Sequence, residues 1–185
     1  MASRRRSDIS SETTKAVLAH WRDSAPDDRP AHLLRHVSRG LRRALEFRLA
    51  KHSISFGHWT FLRILWLEDG LSQRELSIRA GVMEPTTHTA IAKMATLGLV
   101  ERRQAQPGRK RSHIYLTPHG RALEAELVPL AEEANNVALA GAAEEDVARL
   151  RAILLLMVKN LAADEIRALD SGQRILPTRR RAGRT

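Results

Sequence analysis

Several kinds of feature are missing from this 185-residue chain, and each absence excludes a class of protein. There is no cysteine, which excludes a disulfide framework, a thiolate metal site and a cysteine redox sensor. No apolar run approaches the roughly 18 residues that a membrane-spanning helix needs. The basic N-terminus is not followed by the apolar segment of a secretory signal. We therefore expect a folded cytoplasmic protein with no membrane association.

The sequence motifs of the common enzyme families are absent as well. There is no G-x-S-x-G, H-E-x-x-H, Walker or G-x-G-x-x-G pattern. His32 and His36 are four residues apart and could share a metal ion on one helix face, but no third ligand is matched to them. The sequence therefore predicts that the protein is not an enzyme and has no catalytic residues, no cofactor and no metal site.

The chain does carry a net charge of +10, and this charge is concentrated in a few segments. Arginines cluster at residues 4–6 and 179–184, and residues 101–111 hold five cations against one glutamate. The rest of the chain is nearly neutral. Such a distribution is typical of a nucleic-acid-binding surface, although the two basic ends could instead be solubilising, disordered tails.

Apolar residues recur at three- and four-residue steps through much of the chain, which predicts a mainly helical protein. A break or kink is expected near Pro129. Two short strands, at residues 100–104 and 113–117, are predicted to form a β-hairpin. The predicted helices cover residues 11–22, 31–52, 56–68, 73–79, 84–97, 118–140 and 144–165.

The two short helices in the middle of the chain have the features of a helix-turn-helix. Ser72 is a predicted N-cap with Glu75 in capping-box spacing, and Ser55 is a predicted N-cap for the helix before it. Ser77 supplies a small residue where the helices cross, and Gly81 supplies the turn. The residues expected to lie beneath the helices are Leu76, Ala80, Val82, Thr87, Ala90, Ile91, Met94 and Leu97.

The second of these helices is left with a polar outward face, made of Thr86, His88, Thr89, Ala92 and Lys93. Such side chains can reach base edges or phosphates, although a threonine near a helix start is often only a cap. The hairpin loop adds a cluster of cations whose mutual repulsion a polyanion would relieve. We therefore predict a DNA-binding site made of Ser72, Gln73, Arg74, Thr86, His88, Thr89, Lys93, Arg109, Lys110 and Arg111.

The run from about Ser55 to Gly120 resembles the MarR family of winged helix-turn-helix transcription factors. The matching segments are FGHWTFLRIL, LSQRELSIRAGV, PTTHTAIAKMATLGLVERR and IYLTPHGRAL, and the flanking helices extend the resemblance over about residues 31–165. It implies a mainly α fold with a small β-hairpin wing, in which a winged helix-turn-helix is joined to a helical dimerisation domain.

Two positions depart from the family pattern. The wing of the family usually carries Asp-x-Arg, and here those places hold Gly108, Arg109 and Lys110. An arginine that is often found in the recognition helix is replaced here by Thr89. By resemblance, the second departure implies a different operator preference.

The predicted domain organisation combines the residue patterns with this resemblance. Residues 1–30 form a partly disordered extension, 31–54 and 118–165 the helical dimerisation region, 55–117 the winged helix-turn-helix, and 166–185 a basic tail. The long apolar-faced helices exceed what a lone winged helix needs, which favours a homodimer. A two-fold dimer implies a pseudo-palindromic operator in double-stranded DNA.

By resemblance, regulators of this kind often bind a small aromatic acid or its thioester. The residues at matching places are His36, Phe56, His58, Trp59 and Arg63, although Trp59 could be a core residue and Arg63 a solvated surface charge. The predicted function is a repressor that such an effector releases from DNA. An architectural DNA-binding protein without an effector is the alternative.

Overall fold

The computed structural model describes residues 15–16, 30–104 and 112–173 of the chain. The described residues are mainly helical, with one three-stranded sheet. The chain divides into two compact units, Met1–Asn135 and Asn136–Thr185. The predicted fold class, a mainly α protein with a small β-hairpin, is confirmed.

Six α-helices lie within residues 30–104 and 112–173. Helix α1, Pro30–Leu49, is followed by a short 3-10 turn over Ala50–His52, which ends where Ser53 adopts a left-handed φ of 58°. The prediction of one continuous α-helix over residues 31–52 is therefore wrong for its last three residues. The helices are α1 Pro30–Leu49, α2 Phe56–Leu67, α3 Gln73–Ala80, α4 Glu84–Thr96, α5 Pro118–Ala138 and α6 Glu144–Asp170.

Other helix boundaries also differ from the expectations. Helix α5 is not broken at Pro129, which lies inside a helix that continues to Ala138. Helix α6 runs beyond residue 165 to Asp170. The predicted helix over residues 11–22 lies outside the described residues except at positions 15–16.

The sheet contains three short antiparallel strands in the order β1-β3-β2. These are β1 Leu71–Ser72, β2 Val100–Gln104 and β3 Ser112–Leu116. The hairpin β2–β3 was predicted, with β3 displaced by one residue, whereas β1 was not. A two-residue strand is too short to show the alternation by which strands are recognised in a sequence.

The core of the first unit lies beneath the helix-turn-helix and the sheet. Helices α2, α3 and α4 contribute its central apolar side chains, and Leu127 of α5 is also fully buried. Burial of each such side chain stabilises the fold by about 1.5–3 kcal/mol. The fully buried side chains of the three central helices are Leu62, Leu65, Leu76, Thr87, Ile91 and Met94.

The second unit contains the whole of α6, which has no buried residue. Its apolar side chains are open to solvent within one chain, among them Leu150, Ile153, Leu154, Leu155, Leu156, Val158 and Leu161. Among the described residues, no helix is both long and apolar enough to cross a membrane.

A close backbone approach joins the start of α5 to the end of the helix-turn-helix region. Gly120 is buried, and its carbonyl accepts a hydrogen bond from Trp66 Nε1 at 2.9 Å. A Cβ atom at Gly120 would collide with the carbonyl oxygen of Leu99 and lie 2.9 Å from its carbonyl carbon. Only glycine fits this contact without moving the backbone.

The Gly120→Ala substitution should therefore destabilise the protein by about 1–3 kcal/mol, through overpacking against backbone. Gly40→Ala is the matched control, because a Cβ there meets nothing within 4 Å. Gly40 lies inside α1, so its replacement should be neutral or stabilising by up to about 1 kcal/mol. Urea denaturation of both variants measures the difference. Equal stabilities would contradict the contact at Gly120.

Candidate nucleic-acid interface

The turn between α3 and α4 is built by caps that the sequence encodes locally. Ser72 Oγ accepts a hydrogen bond from the Glu75 amide, and Glu75 Oε2 accepts one from the Ser72 amide at 2.8 Å. This reciprocal capping box begins α3 as predicted. At the other end Gly81 has a φ of 62° and donates its N–H to Ile78 O. The left-handed glycine ends α3 and redirects the chain toward α4.

Helix α4 is held in place by its inward face. Ile91 and Met94 are fully buried, and so is Thr87, whose hydroxyl donates to Met83 O at 3.3 Å. That bond satisfies the one polar group that the buried threonine brings into the core. Ser77 of α3 is also buried, and its hydroxyl donates to Arg74 O at 2.8 Å. The burial of Ser77 agrees with the small residue predicted at the helix crossing.

The outward face of α4 is composed as predicted. Its members Thr86, His88, Thr89, Ala92 and Lys93 are all exposed. Whether these side chains contact DNA stays a prediction.

Two residues that were predicted to face inward are exposed instead. Leu97 is 42% exposed because it follows the end of α4 at Thr96, where the helical period no longer applies. Val82 is 37% exposed because it follows the left-handed Gly81 and belongs to the turn.

The three predicted contact residues at the start of α3 occupy different environments. Ser72 and Gln73 are partly buried, whereas Arg74 is exposed. The Ser72 oxygen already serves as the helix cap, so its structural role is established by geometry. Its hydroxyl hydrogen and the Arg74 guanidinium remain suited to phosphate.

The hairpin carries an ion pair that sequence reasoning missed. Arg103 lies over the Tyr115 ring at 5.0 Å from its centroid and pairs with Glu101 on the same strand. Glu101 and Tyr115 are register partners, so all three side chains share one face of the hairpin. Alternation places residues 101 and 103 on one face, and this spacing is the signal that could have revealed the pair.

The loop cations Arg109, Lys110 and Arg111 lie outside the described residues. The base of their hairpin, in contrast, is anchored by one carboxylate. Asp69 Oδ1 accepts hydrogen bonds from the amides of Gly70 at 3.0 Å and Leu116 at 2.9 Å. Its other oxygen, Oδ2, accepts from Arg121 at 2.5 Å. Asp69 therefore ties the end of α2 to β3 and to the start of α5, which fixes where the hairpin leaves the core.

Among the predicted effector-binding residues, His58 and Trp59 are buried, with exposed fractions of 6% and 5%. Trp59 packs edge-on against Trp66, with ring centroids 5.6 Å apart. These contacts favour the core role that was the alternative for Trp59.

The other candidates are more accessible. His36 and Phe56 are partly buried and Arg63 is exposed. The Arg42 guanidinium of α1 lies 5.0 Å from the centroid of the Phe56 ring, so a cation accompanies this aromatic side chain. Sequence reasoning missed Arg42, since no local pattern connects positions 42 and 56.

The described residues contain no group of three or more His, Asp or Glu side chains able to hold a metal ion.

The buried His58 is both part of a helix cap and close to the candidate interface. Its backbone N–H donates to Ser55 Oγ at 3.2 Å, and its Nδ1 accepts a long hydrogen bond of 3.5 Å from the Ser55 amide. Burial lowers the pKa of His58, and the positive charge of Lys93 on α4 lowers it further. Neutral imidazole is therefore the form that fits this site, because only that form has an acceptor nitrogen.

The stability contributed at this position should depend on pH. Since folding lowers the pKa of His58 below its usual 6.5, the unfolded chain binds the proton more tightly. The fold is therefore expected to lose stability as the pH falls through about 6.5 toward the lower folded pKa. His58→Gln keeps an acceptor in the capping box but does not titrate. Its free energy of unfolding should fall less than that of the wild type between about pH 7 and about pH 5.

Urea denaturation at the two pH values measures both quantities. The matched control is His119→Gln, because His119 is exposed. That variant should keep the wild-type pH dependence. An H58Q variant with the full wild-type loss of stability would contradict a neutral, buried imidazole.

Comparison with known proteins places these features in a family. No protein-family model matches the sequence. The HTH-type transcriptional regulator TtmR of Methylorubrum extorquens (strain PA1) is 29% identical to the chain over 85 residues, which are 46% of this chain. The same match covers 44% of that regulator, so the chain spans less than half the length of this relative.

Solved structures match over more of the chain. The transcriptional regulator PA3341 is 31% identical, with a TM-score of 0.64, over 72% of this chain and 98% of its own. A MarR family transcriptional regulator from Listeria monocytogenes, solved with a 26mer DNA, is 20% identical with a TM-score of 0.69, over 80% and 99% of the two chains.

A third solved structure is the Mycobacterium tuberculosis MarR family protein Rv2887 in complex with salicylic acid. It is 26% identical, with a TM-score of 0.59, over 72% of this chain and 99% of its own. The helical fold with its small antiparallel sheet agrees with these matches. The chain belongs to the MarR family of winged helix-turn-helix transcriptional regulators.

Proposed function

We propose that this protein is a homodimeric repressor that binds a pseudo-palindromic operator in double-stranded DNA and is released by a small aromatic acid. The outward face of α4 is the main support for the proposed DNA-binding site. Its polar side chains are exposed on a helix whose opposite face is buried, so the helix can enter a major groove without unfolding. The fold match to a regulator solved with DNA supports this placement.

The proposed contact set has two parts. Thr86, His88, Thr89 and Lys93 of α4 face base edges and nearby phosphates, and Ser72, Gln73 and Arg74 reach the phosphates beside them. Arg109, Lys110 and Arg111 are assigned to the wing on the sequence argument alone. The net charge of +10 makes association with a polyanion favourable and dependent on salt.

Dimerisation is supported by the apolar side chains that α6 exposes. Leu150, Leu154 and Leu161 follow the three- and four-residue steps of one helix face and are 44%, 37% and 65% exposed. A soluble chain rarely leaves such a face uncovered. A second copy of the same chain covers it in our proposal, and two-fold symmetry then requires paired half-sites in the operator.

The effector is proposed on the likeness to the salicylic acid complex. Phe56 and Arg42 bring an aromatic ring and a cation together, and Arg63 is a second exposed cation on α2. An aromatic carboxylate fits such a pair of groups. Release follows if the acid binds more tightly to a dimer geometry in which the two α4 helices do not match the spacing of the groove.

An architectural DNA-binding protein without an effector is the alternative. The two functions differ in sequence preference. A repressor should favour its operator over random DNA by about a thousandfold or more at physiological salt, whereas an architectural protein should not. A location in the cytoplasm, with the DNA, is part of both proposals.

Replacing Lys93 of α4 tests the DNA-binding face. Lys93→Ala should weaken binding to an operator selected from random DNA. It should also reduce the slope of log affinity against log salt by about 1.8, because each of the two subunits loses one phosphate contact worth about 0.9. Lys159→Ala on α6 is the control, since it removes the same charge from another exposed position. Fluorescence anisotropy over a salt series measures both slopes, and adding salicylate to the same complexes tests release.

Equal slopes for the K93A and K159A variants would contradict a contact between Lys93 and DNA. Full retention of the complex in saturating salicylate would contradict an effector of this class. Failure of the full chain to select any sequence would favour the architectural alternative.

Placing a charge on α6 tests the dimer. Leu154→Lys should convert a dimer into a monomer at micromolar concentration, because it buries an unpaired ammonium in the proposed interface. Ala152→Lys adds the same charge to the opposite side of α6 and should leave the dimer intact. Sedimentation measures the mass of each. A stable wild-type monomer at that concentration would overturn the dimer.

A further inference from the structure

Thr89 lies on the outward face of α4, in the N-terminal half of the helix. The helix turns by about 100° per residue, so Thr89 lies roughly 190° from the mean direction of the buried Thr87, Ile91 and Met94. His88 lies on one flank of this position and Lys93 on the other. A helix that enters a groove by its N-terminal half, with its buried face turned away from the DNA, therefore directs Thr89 toward the base edges.

The hydroxyl group of Thr89 is already engaged within the helix. Its Oγ1–H donates to Pro85 O at 3.1 Å. A hydroxyl has one hydrogen to donate and two lone pairs that accept. The exposed side chain therefore offers an oxygen that accepts hydrogen bonds and a methyl group, but no donor.

These two groups select among the base pairs of the major groove. Guanine presents only acceptors there, at O6 and N7, and would meet the Thr89 oxygen without a hydrogen bond. Adenine presents the N6 amine as a donor, and its partner thymine presents a methyl group. Cytosine also has an amine, but neither base of a G·C pair carries the methyl group that would pack against the Thr89 methyl.

We infer that Thr89 is a specificity-determining residue that reads an A·T pair near the centre of each half-site. Its oxygen accepts from adenine N6, and its methyl packs against a thymine methyl of the same or the adjacent pair. This inference rests on the proposed function, because it requires α4 to lie in the major groove. An arginine at this position would instead donate to guanine, so the threonine favours A·T where an arginine would favour G·C.

Single-group changes in the DNA test the inference directly. The full chain first selects its preferred sequence from a random pool, and each half-site is then altered one group at a time. Replacing the central thymine by deoxyuridine removes only the methyl and should weaken binding about fourfold. Replacing the adenine by purine deoxyriboside removes only the amine and should weaken binding about threefold to tenfold.

Two variants assign each effect to one group of Thr89. Thr89→Ser keeps the oxygen and loses the methyl, so it should lose the response to deoxyuridine and keep the response to the missing amine. Thr89→Val keeps the methyl and loses the acceptor, so its responses should be the reverse. Thr89 is exposed, and thermal denaturation verifies that both variants remain folded.

Thr96→Ser is the matched control. Thr96 is also exposed on α4, and its hydroxyl also donates to the carbonyl four residues earlier, Ala92 O, at 3.1 Å. It lies almost two turns nearer the helix end and should retain both wild-type responses. Loss of the deoxyuridine effect in T96S rather than T89S would overturn the assignment to Thr89.

The experiment distinguishes failure of operator-specific binding from failure of the role assigned to Thr89. If the wild-type chain selects no sequence at all, the proposed operator-specific function fails. If it selects a sequence, but both base changes are without effect or the centre of the half-site contains only G·C pairs, DNA binding stands and the role of Thr89 is overturned.

Discussion

Burial of the inward face of α4 is the constraint on which the rest of the candidate interface depends. Thr87, Ile91 and Met94 have no exposed surface, so the helix cannot rotate about its axis without exposing apolar groups or leaving a cavity. The same packing selects the residues that can face another molecule. The outward face contains no buried apolar group, so its residues contribute little to the stability of the fold. The choice of residues there can therefore follow what the helix binds.

The hairpin depends on a second constraint, which is electrostatic. The Asp69 carboxylate accepts three hydrogen bonds, from Gly70, Leu116 and Arg121, and so joins the end of one helix, a central strand and the start of another helix. Gly120 adds a backbone approach that admits no Cβ atom. Together these contacts make the base of the hairpin rigid, whatever the course of the loop between its strands.

His58 shows how one residue can change role when the fold is known. As a sequence feature, an aromatic imidazole near Trp59 on a helix is compatible with a ligand site. In the fold it lies at the third position of α2, where it completes a capping box with Ser55. Its nearness to Lys93 links this cap electrostatically to α4, since the lysine charge disfavours protonation of the imidazole. Stability of the core and charge on the recognition helix are therefore coupled.

The sequence by itself determined the helices, the hairpin, the caps at Ser55 and Ser72 and the outward face of α4. The helices and caps depend on residues within about four positions of one another, where helical period and capping chemistry are decisive. The hairpin joins two strands that are neighbours along the chain. Among the residues predicted to face inward from the helix-turn-helix, the exceptions occurred where that period stops, at the exposed Leu97 and Val82.

Only the tertiary structure decided the contacts between distant segments. Asp69 meets Leu116 and Arg121 at separations of 47 and 52 residues, and Arg42 lies over Phe56 on another helix. No local pattern predicts such pairs, because their geometry depends on how whole helices pack. The same packing directs Thr89 away from the core. Its hydroxyl hydrogen is bound to Pro85 O, so only its oxygen lone pairs and its methyl group are left for another molecule.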